Sequence, residues 1–206
     1  MSTTRKRNTA AKKKEVRSAK RRSSQPILPI PLIAGLAVLA LLVIVALVVT
    51  SNQGEGARAS GPIEGLKTFP NQEAGHTTGP VTYNVIPPTG GRHHPSWLNC
   101  GVYTEPVANE NAVHSLEHGA IWITYQPDLP AEQVEQLREI TRQSGYRLLS
   151  PFPDLPAPIV ASAWGYQIQL EQADDPRLLQ FIRRYEQNPE GPEPGAPCTG
   201  GVGTPG

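Results

Sequence analysis

The chain has 206 residues, with 19 Lys or Arg, 18 Asp or Glu and five histidines, so its length allows one domain or at most two. Its 19 glycines and 22 prolines make up about a fifth of the residues and exclude a large core. The net charge of +1 is unevenly distributed along the chain. Ten of the basic residues lie within residues 1–25, where Glu15 is the only acidic residue. The remaining sequence carries 9 basic and 17 acidic residues, a net charge of −8.

The N-terminal region predicts a membrane anchor. Residues 1–25 are basic and nearly without apolar side chains, which predicts a disordered tail. From Ile27 to Val49 the sequence is uncharged and apolar apart from two prolines and one glycine. As a helix this stretch spans about 34 Å, enough for a bilayer core of about 30 Å. We therefore expect a transmembrane helix over residues 26–49.

A cleaved signal peptide is the alternative interpretation of this region. Its apolar part is usually about 7–15 residues long and is followed by small residues at a cleavage site. Here the apolar run is longer and is followed by Thr50-Ser51-Asn52-Gln53, which favours an uncleaved, single-pass anchor in the cell membrane. The basic residues before it place the N-terminus in the cytoplasm and the body outside it. A membrane anchor with a cytoplasmic N-terminus accounts for the basic tail better than nucleic-acid binding does, so no nucleic-acid partner is expected.

The rest of the chain predicts a linker at 50–62, a domain at 63–187 and a Pro/Gly-rich tail at 188–206. The predicted elements are a short strand at 81–85, a short helix from about Glu110 to Gly119, a strand at 121–125, a helix opened by Asp128 and ended by Gly145, a strand at 146–149, two strands or one bent hairpin at 159–164 and 167–170, and a helix at 176–187 capped by Asp174 or Asp175. This order indicates an α+β fold with a small, mainly antiparallel sheet and two helices on one face, preceded by an irregular His-rich segment.

The two cysteines, Cys100 and Cys198, are far apart and lie outside any CxxC pattern. In an extracytoplasmic compartment such a pair is more often bridged than free, so a disulfide is expected. It would also tie down the glycine-rich tail. The alternative is that Cys100, close in sequence to His93 and His94, binds a metal ion as a thiolate.

All five histidines lie between positions 76 and 118. Scattered histidines are commonly surface or satisfied core residues, but these five are clustered, and His114 and His118 have the i, i+4 spacing that presents two imidazoles from one helix face. The order His-x-x-Glu-His also occurs in one class of zinc peptidases, with the glutamate as general base. Gly119 limits this helix to about two turns, which disfavours the hydrolase interpretation. Glu117 is then a further ligand, or an acceptor that fixes a histidine tautomer.

Three stretches carry a resemblance to a known family: Pro87-Pro88-Thr89-Gly90-Gly91-Arg92-His93-His94-Pro95-Ser96-Trp97, Cys100-Gly101-Val102-Tyr103, and Val113-His114-Ser115-Leu116-Glu117-His118-Gly119. They resemble the bacterial family catalogued as domain of unknown function 3105, whose pattern reads approximately PPTSGxHxxxW, GxY and VHxLEHGxVxxxY. The later Ala163-Trp164-Gly165 is similar to its AWG stretch. Gly90 stands where that pattern has serine. The resemblance covers about residues 63–187.

The resemblance implies a single N-terminal membrane segment and an extracytoplasmic domain, but it implies no reaction. The matching histidines are His76, His93, His114 and His118, while His94 falls at a position that varies. Our leading hypothesis is that these four bind one transition-metal ion, zinc or copper, because imidazole suits both. The only Met is the initiator, so a Met-rich cuprous site is excluded. The alternatives are a non-catalytic assembly module with an envelope partner and, third, a metal-dependent hydrolase with Glu117 as base.

Overall fold

The computed structural model describes residues 61–206, which form six strands and three helices. The strands are β1 (Lys67–Thr68), β2 (Gly101–Val102), β3 (Ile121–Tyr125), β4 (Arg147–Pro151), β5 (Ile159–Ala163) and β6 (Tyr166–Leu170). The helices are α1 (Asn109–Glu117), α2 (Ala131–Arg142) and α3 (Pro176–Tyr185). The predicted tail, transmembrane helix and all but the end of the linker fall on residues 1–60, outside the described residues.

The six strands form one mixed sheet in the order β1-β6-β5-β3-β4-β2. The α+β class is confirmed. The sheet is mixed, with three antiparallel pairs and two parallel ones, β3 with β4 and β2 with β4. The reason is the connection between β3 and β4. Helix α2 carries the chain back along the sheet, so β4 runs in the same direction as β3, with Trp122 opposite Leu148.

Helices cover both faces of this sheet. Ile121 and Ile123 of β3 face α2 and α3 in the larger core, which confirms two helices on one face. Trp122, between them, points to the opposite face and packs with Leu116 of α1. This alternation follows from the two-residue period of a strand. Each fully buried large side chain of this kind contributes roughly 1.5–3 kcal/mol. Helix α1 is therefore held against the sheet by its own apolar face.

Local sequence signals account for most of the element boundaries. Helix α1 ends before Gly119, whose φ is +94° and whose absent Cβ leaves room for Gln187, 2.9 Å from where that Cβ would lie. Helix α3 is capped by Asp175, which accepts a hydrogen bond from the backbone of Arg177.

Two local predictions are corrected by the structure. Residues 81–85 form no strand, and the backbone N–H of Val81 donates to the Glu110 carboxylate instead of to a neighbouring strand. Helix α2 begins directly after Pro130 and has no side-chain cap, so Asp128 does not cap it, and the amides of Gln133 and Val134 donate to the Pro130 carbonyl.

The C-terminal segment (residues 188–206) is attached to the domain at several points. Cys100 and Cys198 form a disulfide, as predicted, with their Cα atoms 5.3 Å apart. Cys100 therefore offers no thiolate for a metal ion. The Cys100 amide donates to the Cys198 carbonyl, and Val202 forms a parallel bridge with Leu98. Hydrogen bonds and a covalent link together hold a segment that has few apolar side chains of its own.

Within residues 61–206, none of the helices combines the length and the apolar character needed to cross a membrane.

Candidate metal centre

Two histidines of the irregular segment are brought together by a β-bridge. His76 and His93 pair in parallel, with Thr77 N donating to His93 O at 2.7 Å and His93 N donating to Gly75 O at 2.9 Å. The pairing places the two imidazole rings edge to face, with centroids 4.9 Å apart. The two histidines are 17 positions apart in the sequence, so the contact depends on the fold of the loop between them.

A second set of hydrogen bonds fixes this loop against α1. His94 N donates to Glu110 O, Leu98 N donates to Asn111 O, and the Ser115 hydroxyl donates to Leu98 O at 2.7 Å. The loop contributes two backbone amides and one carbonyl, and helix α1 contributes two backbone carbonyls and one hydroxyl. The loop histidines and the helix histidine are consequently held at a fixed separation.

The result is a compact group of three histidines and one carboxylate. One ligand atom from each of His76, His93, His114 and Glu117 lies within 4.8 Å of all the others. His93 Nε2 is 2.9 Å from Glu117 Oε2, and His76 Nε2 is 3.8 Å from the same oxygen. We call these four residues the inner group.

Hydrogen bonds to backbone carbonyls determine which ring nitrogens face the inner group. His93 Nδ1 lies 2.8 Å from Gly91 O, and His114 Nδ1 lies 2.7 Å from His94 O. A carbonyl oxygen only accepts, so each Nδ1 carries a proton and donates it. In the neutral His114 ring, Nε2 then has a free lone pair, and His93 Nε2 has one once it releases the proton that it donates to Glu117 Oε2. This is the arrangement that orients histidine ligands in metal sites.

Two distances within the inner group are close to those of a small coordination sphere, and all of them are at most 4.8 Å. A tetrahedral ion with bonds of roughly 2.0–2.1 Å to imidazole nitrogen separates its ligand atoms by about 3.3 Å. The distances of 2.9 and 3.8 Å lie on either side of that value. Three neutral imidazoles and one carboxylate also leave one negative charge to balance a divalent cation. The residues present therefore fit one transition-metal ion.

Burial and opposing charge act against each other at Glu117. Burial on its own would raise the pKa of the Glu117 carboxyl, but the His93 hydrogen bond and the charges of His93, His114 and His76 outweigh it, so the pKa lies below its ordinary value. Burial would lower the pKa of His93, and the hydrogen bonds with Glu117 and Gly91 reverse this, so it is raised. A buried carboxylate is thus ionised and partnered by cationic or metal-binding groups.

The pKa of His114 moves in the opposite direction. Burial lowers it most, the hydrogen bond with His94 opposes that change, and the charges of His118 and His93 lower it further. A lowered pKa keeps the His114 imidazole neutral at ordinary pH. The neutral ring is the form that binds a metal ion.

Aromatic rings wall the inner group, and one side remains open. Trp164 meets His93 edge to face at 5.8 Å, and Trp97 lies 5.9 Å from the His114 ring. His93 has no exposed surface, whereas the His76 side chain is 51% exposed. The open side of the inner group is therefore at His76, where solvent can reach it.

The structure places the other two histidines outside the inner group. His94 Nδ1 accepts a hydrogen bond from Ser96 N, so of the neighbouring His93 and His94 it is His93 that faces the inner group. His118 is buried beside the His114 ring at 4.6 Å, but its Nδ1 donates to Pro197 O and its Nε2 faces Glu193. Glu117 thus occupies the place in the group for which the sequence suggested His118.

The features that sequence reasoning missed are the carbonyl acceptors of Gly91, His94 and Pro197. Backbone acceptors leave no trace in residue type, so no sequence signal points to them. The choice between His118 and Glu117 depends on where α1 ends. His118 lies one residue beyond the last helical residue, and the C-terminal segment passes beside it, with Gly195 N donating to His118 O at 3.3 Å.

Comparisons with known proteins identify a family and no activity. No curated protein and no solved structure matched the chain. A family model described as "Protein of unknown function (DUF3105)" matches residues 76–200, which include the inner group, His118 and both cysteines. Because this match covers more than half of the sequence, the chain belongs to that family.

Proposed function

We propose that this protein binds one transition-metal ion through His76, His93, His114 and Glu117. The observation that carries the proposal is the convergence of three imidazole nitrogens and one buried carboxylate within 4.8 Å. Carbonyl acceptors at Nδ1 leave the Nε2 lone pairs of His93 and His114 for the ion. A buried carboxylate costs several kcal/mol in desolvation unless it is paired, and a bound cation offsets that cost.

The ligand set favours zinc or copper and a binding role. Three imidazoles with one carboxylate suit either ion. Four protein ligands complete a tetrahedral sphere, whereas catalytic zinc sites commonly keep one position for water. If Glu117 is a ligand, it is not available as a general base on a metal-bound water. The site therefore supports metal holding better than hydrolysis.

We place this metal centre just outside a membrane. Support comes from the sequence, where the apolar stretch at 26–49 follows a basic tail, and from the disulfide, since such bonds persist in oxidising compartments. Intact mass measurement of the full chain extracted from membranes tests the anchor directly. Retention of the N-terminal 49 residues agrees with it, and a mature chain starting after residue 49 contradicts it.

Metal analysis of the full chain, purified in detergent and dialysed, tests the binding proposal. We expect close to one zinc or copper ion per wild-type chain, and loss of that ion in His114→Ala. His94→Ala is the matched control, because the His94 side chain lies outside the inner group and only its carbonyl holds His114. Equal trace metal in all three proteins would contradict the proposal and leave the inner group as a polar core for an assembly module.

A further inference from the structure

We propose that His118 and Glu193 form a second cation site, which we call the outer site. It is separate from the metal ion proposed above, because His118 and Glu193 contribute no side chain to the inner group. The occupant is a borderline divalent cation such as zinc, held by one imidazole nitrogen, one carboxylate oxygen and water molecules.

The geometry of His118 fixes both the tautomer and the direction of its ring. Its Nδ1 is 2.7 Å from Pro197 O, so this nitrogen carries the proton and donates it. The ring is 5.1 Å from Trp97 and 4.6 Å from His114, and the residue is 3% exposed. Because Nδ1 is hydrogen-bonded and the ring is buried between Trp97 and His114, the ring presents Nε2 in one direction.

Glu193 supplies the second ligand in that direction. Its Oε2 lies 3.6 Å from His118 Nε2, too far for a hydrogen bond. The Glu193 side chain is 54% exposed, so an ion reaches it from solvent. Its backbone is fixed, because Glu193 N donates to Glu117 O at 3.2 Å and Gly195 N donates to His118 O. The disulfide at Cys198 holds the same segment a few residues further on.

The separation of these two atoms matches a shared ion. Two atoms that both offer lone pairs repel each other unless a proton or a metal ion lies between them, and 3.6 Å is too long for a shared proton. Their distance of 3.6 Å is close to the separation of about 3.3 Å between neighbouring ligands of a tetrahedral zinc ion. With two protein ligands and otherwise water, we expect the outer site to bind more weakly than the inner group.

Zinc titration of the full chain in detergent, followed by equilibrium dialysis, tests the outer site. We expect wild type to saturate at two ions and Glu193→Gln at one. Glu190→Gln is the matched control, because Glu190 is an exposed acid of the same segment and should leave two ions. Both substitutions are on exposed side chains, so the fold should be unaffected.

The inner and outer proposals fail in different ways in this experiment. Saturation of wild type at one ion, unchanged by Glu193→Gln, would overturn the outer site and make His118 and Glu193 a simple ion pair. Two ions in Glu193→Gln would also overturn it, since the second ion would then lie elsewhere. One ion in wild type that Glu193→Gln removes would retain the outer site and contradict the inner one.

Discussion

His93 Nε2 and Glu117 Oε2 lie 2.9 Å apart, with the two side chains 0% and 6% exposed. Removing two charged groups from water is costly, and replacing such a pair by apolar residues is often neutral or stabilising in other proteins. Stability alone therefore gives weak support for keeping this pair. In a metal site formed by His93, Glu117 and two further imidazoles, the buried Glu117 carboxylate would bind the ion and balance its charge.

Glu117→Gln should weaken binding of the inner ion. Glutamine keeps the shape of the side chain but removes the negative charge that balances the cation, so we expect at least about a 100-fold loss of affinity. Competition with a chromophoric chelator measures the change. Glu132→Gln, an exposed acid on α2, is the control and should bind like wild type. Equal affinities for the two variants would remove Glu117 from the ligand set.

Neighbouring histidines should respond differently to the same substitution. His93→Ala removes one ligand and leaves the buried Glu117 carboxylate without its hydrogen-bond partner, which should cost roughly 3 kcal/mol of unfolding free energy in the metal-free protein. His94→Ala keeps the carbonyl that holds His114, so it should retain both stability and metal. Urea denaturation and metal analysis check both effects. A greater loss in His94→Ala than in His93→Ala would contradict the assignment.

Metal affinity should fall as the pH is lowered through the pKa of His93. The hydrogen bond to Glu117 raises that pKa above 6.5, so protons compete with the ion from above pH 6.5 downward. His114, whose pKa is lowered, stays neutral over the same range and adds no competition there. Each proton released on binding changes affinity by about tenfold per pH unit. Calorimetric titrations between pH 6 and 8 test this, and an affinity independent of pH would contradict it.

Breaking the disulfide should destabilise the domain and the metal centre together. The bond joins residues 98 positions apart, and a loop of that length corresponds to roughly 4–5 kcal/mol in the chain-entropy model. The segment it holds also donates Glu193 N to the carbonyl of Glu117, at the end of α1. Denaturation of wild type and of a Cys100→Ser/Cys198→Ser variant measures the first effect, and metal affinity measures the second. Identical unfolding midpoints would show that the other contacts hold the segment without the bond.

The sequence predicted those elements whose signals are local. Period-two and period-3.6 patterns located the strand at 121–125 and the helices around 131–142 and 176–185, and Gly119 correctly ended α1. The parallel pairing of β3 and β4 required knowing how α2 crosses the sheet. At 81–85, no local pattern shows that the Val81 amide donates to Glu110, a residue 29 positions away, instead of to a neighbouring strand.

For the site, too, local features could be predicted from the sequence and long-range contacts could not. The clustering of His76, His93 and His114 could be inferred from histidine spacing and family resemblance. Whether His118 or Glu117 completes the inner group depends on the direction each side chain takes at the last turn of α1. The direction of the His118 ring is fixed by its hydrogen bond to Pro197 O, 79 positions further along the chain, so no local pattern contains it.

X-ray absorption at the zinc edge, on the full chain loaded with one equivalent of zinc, tests the central claim most directly. The inner group predicts four nitrogen or oxygen neighbours at roughly 2.0–2.1 Å and the outer-shell scattering of three imidazole rings. A spectrum with one imidazole or none, or with only water-like oxygen neighbours, would contradict a metal ion bound by His76, His93, His114 and Glu117.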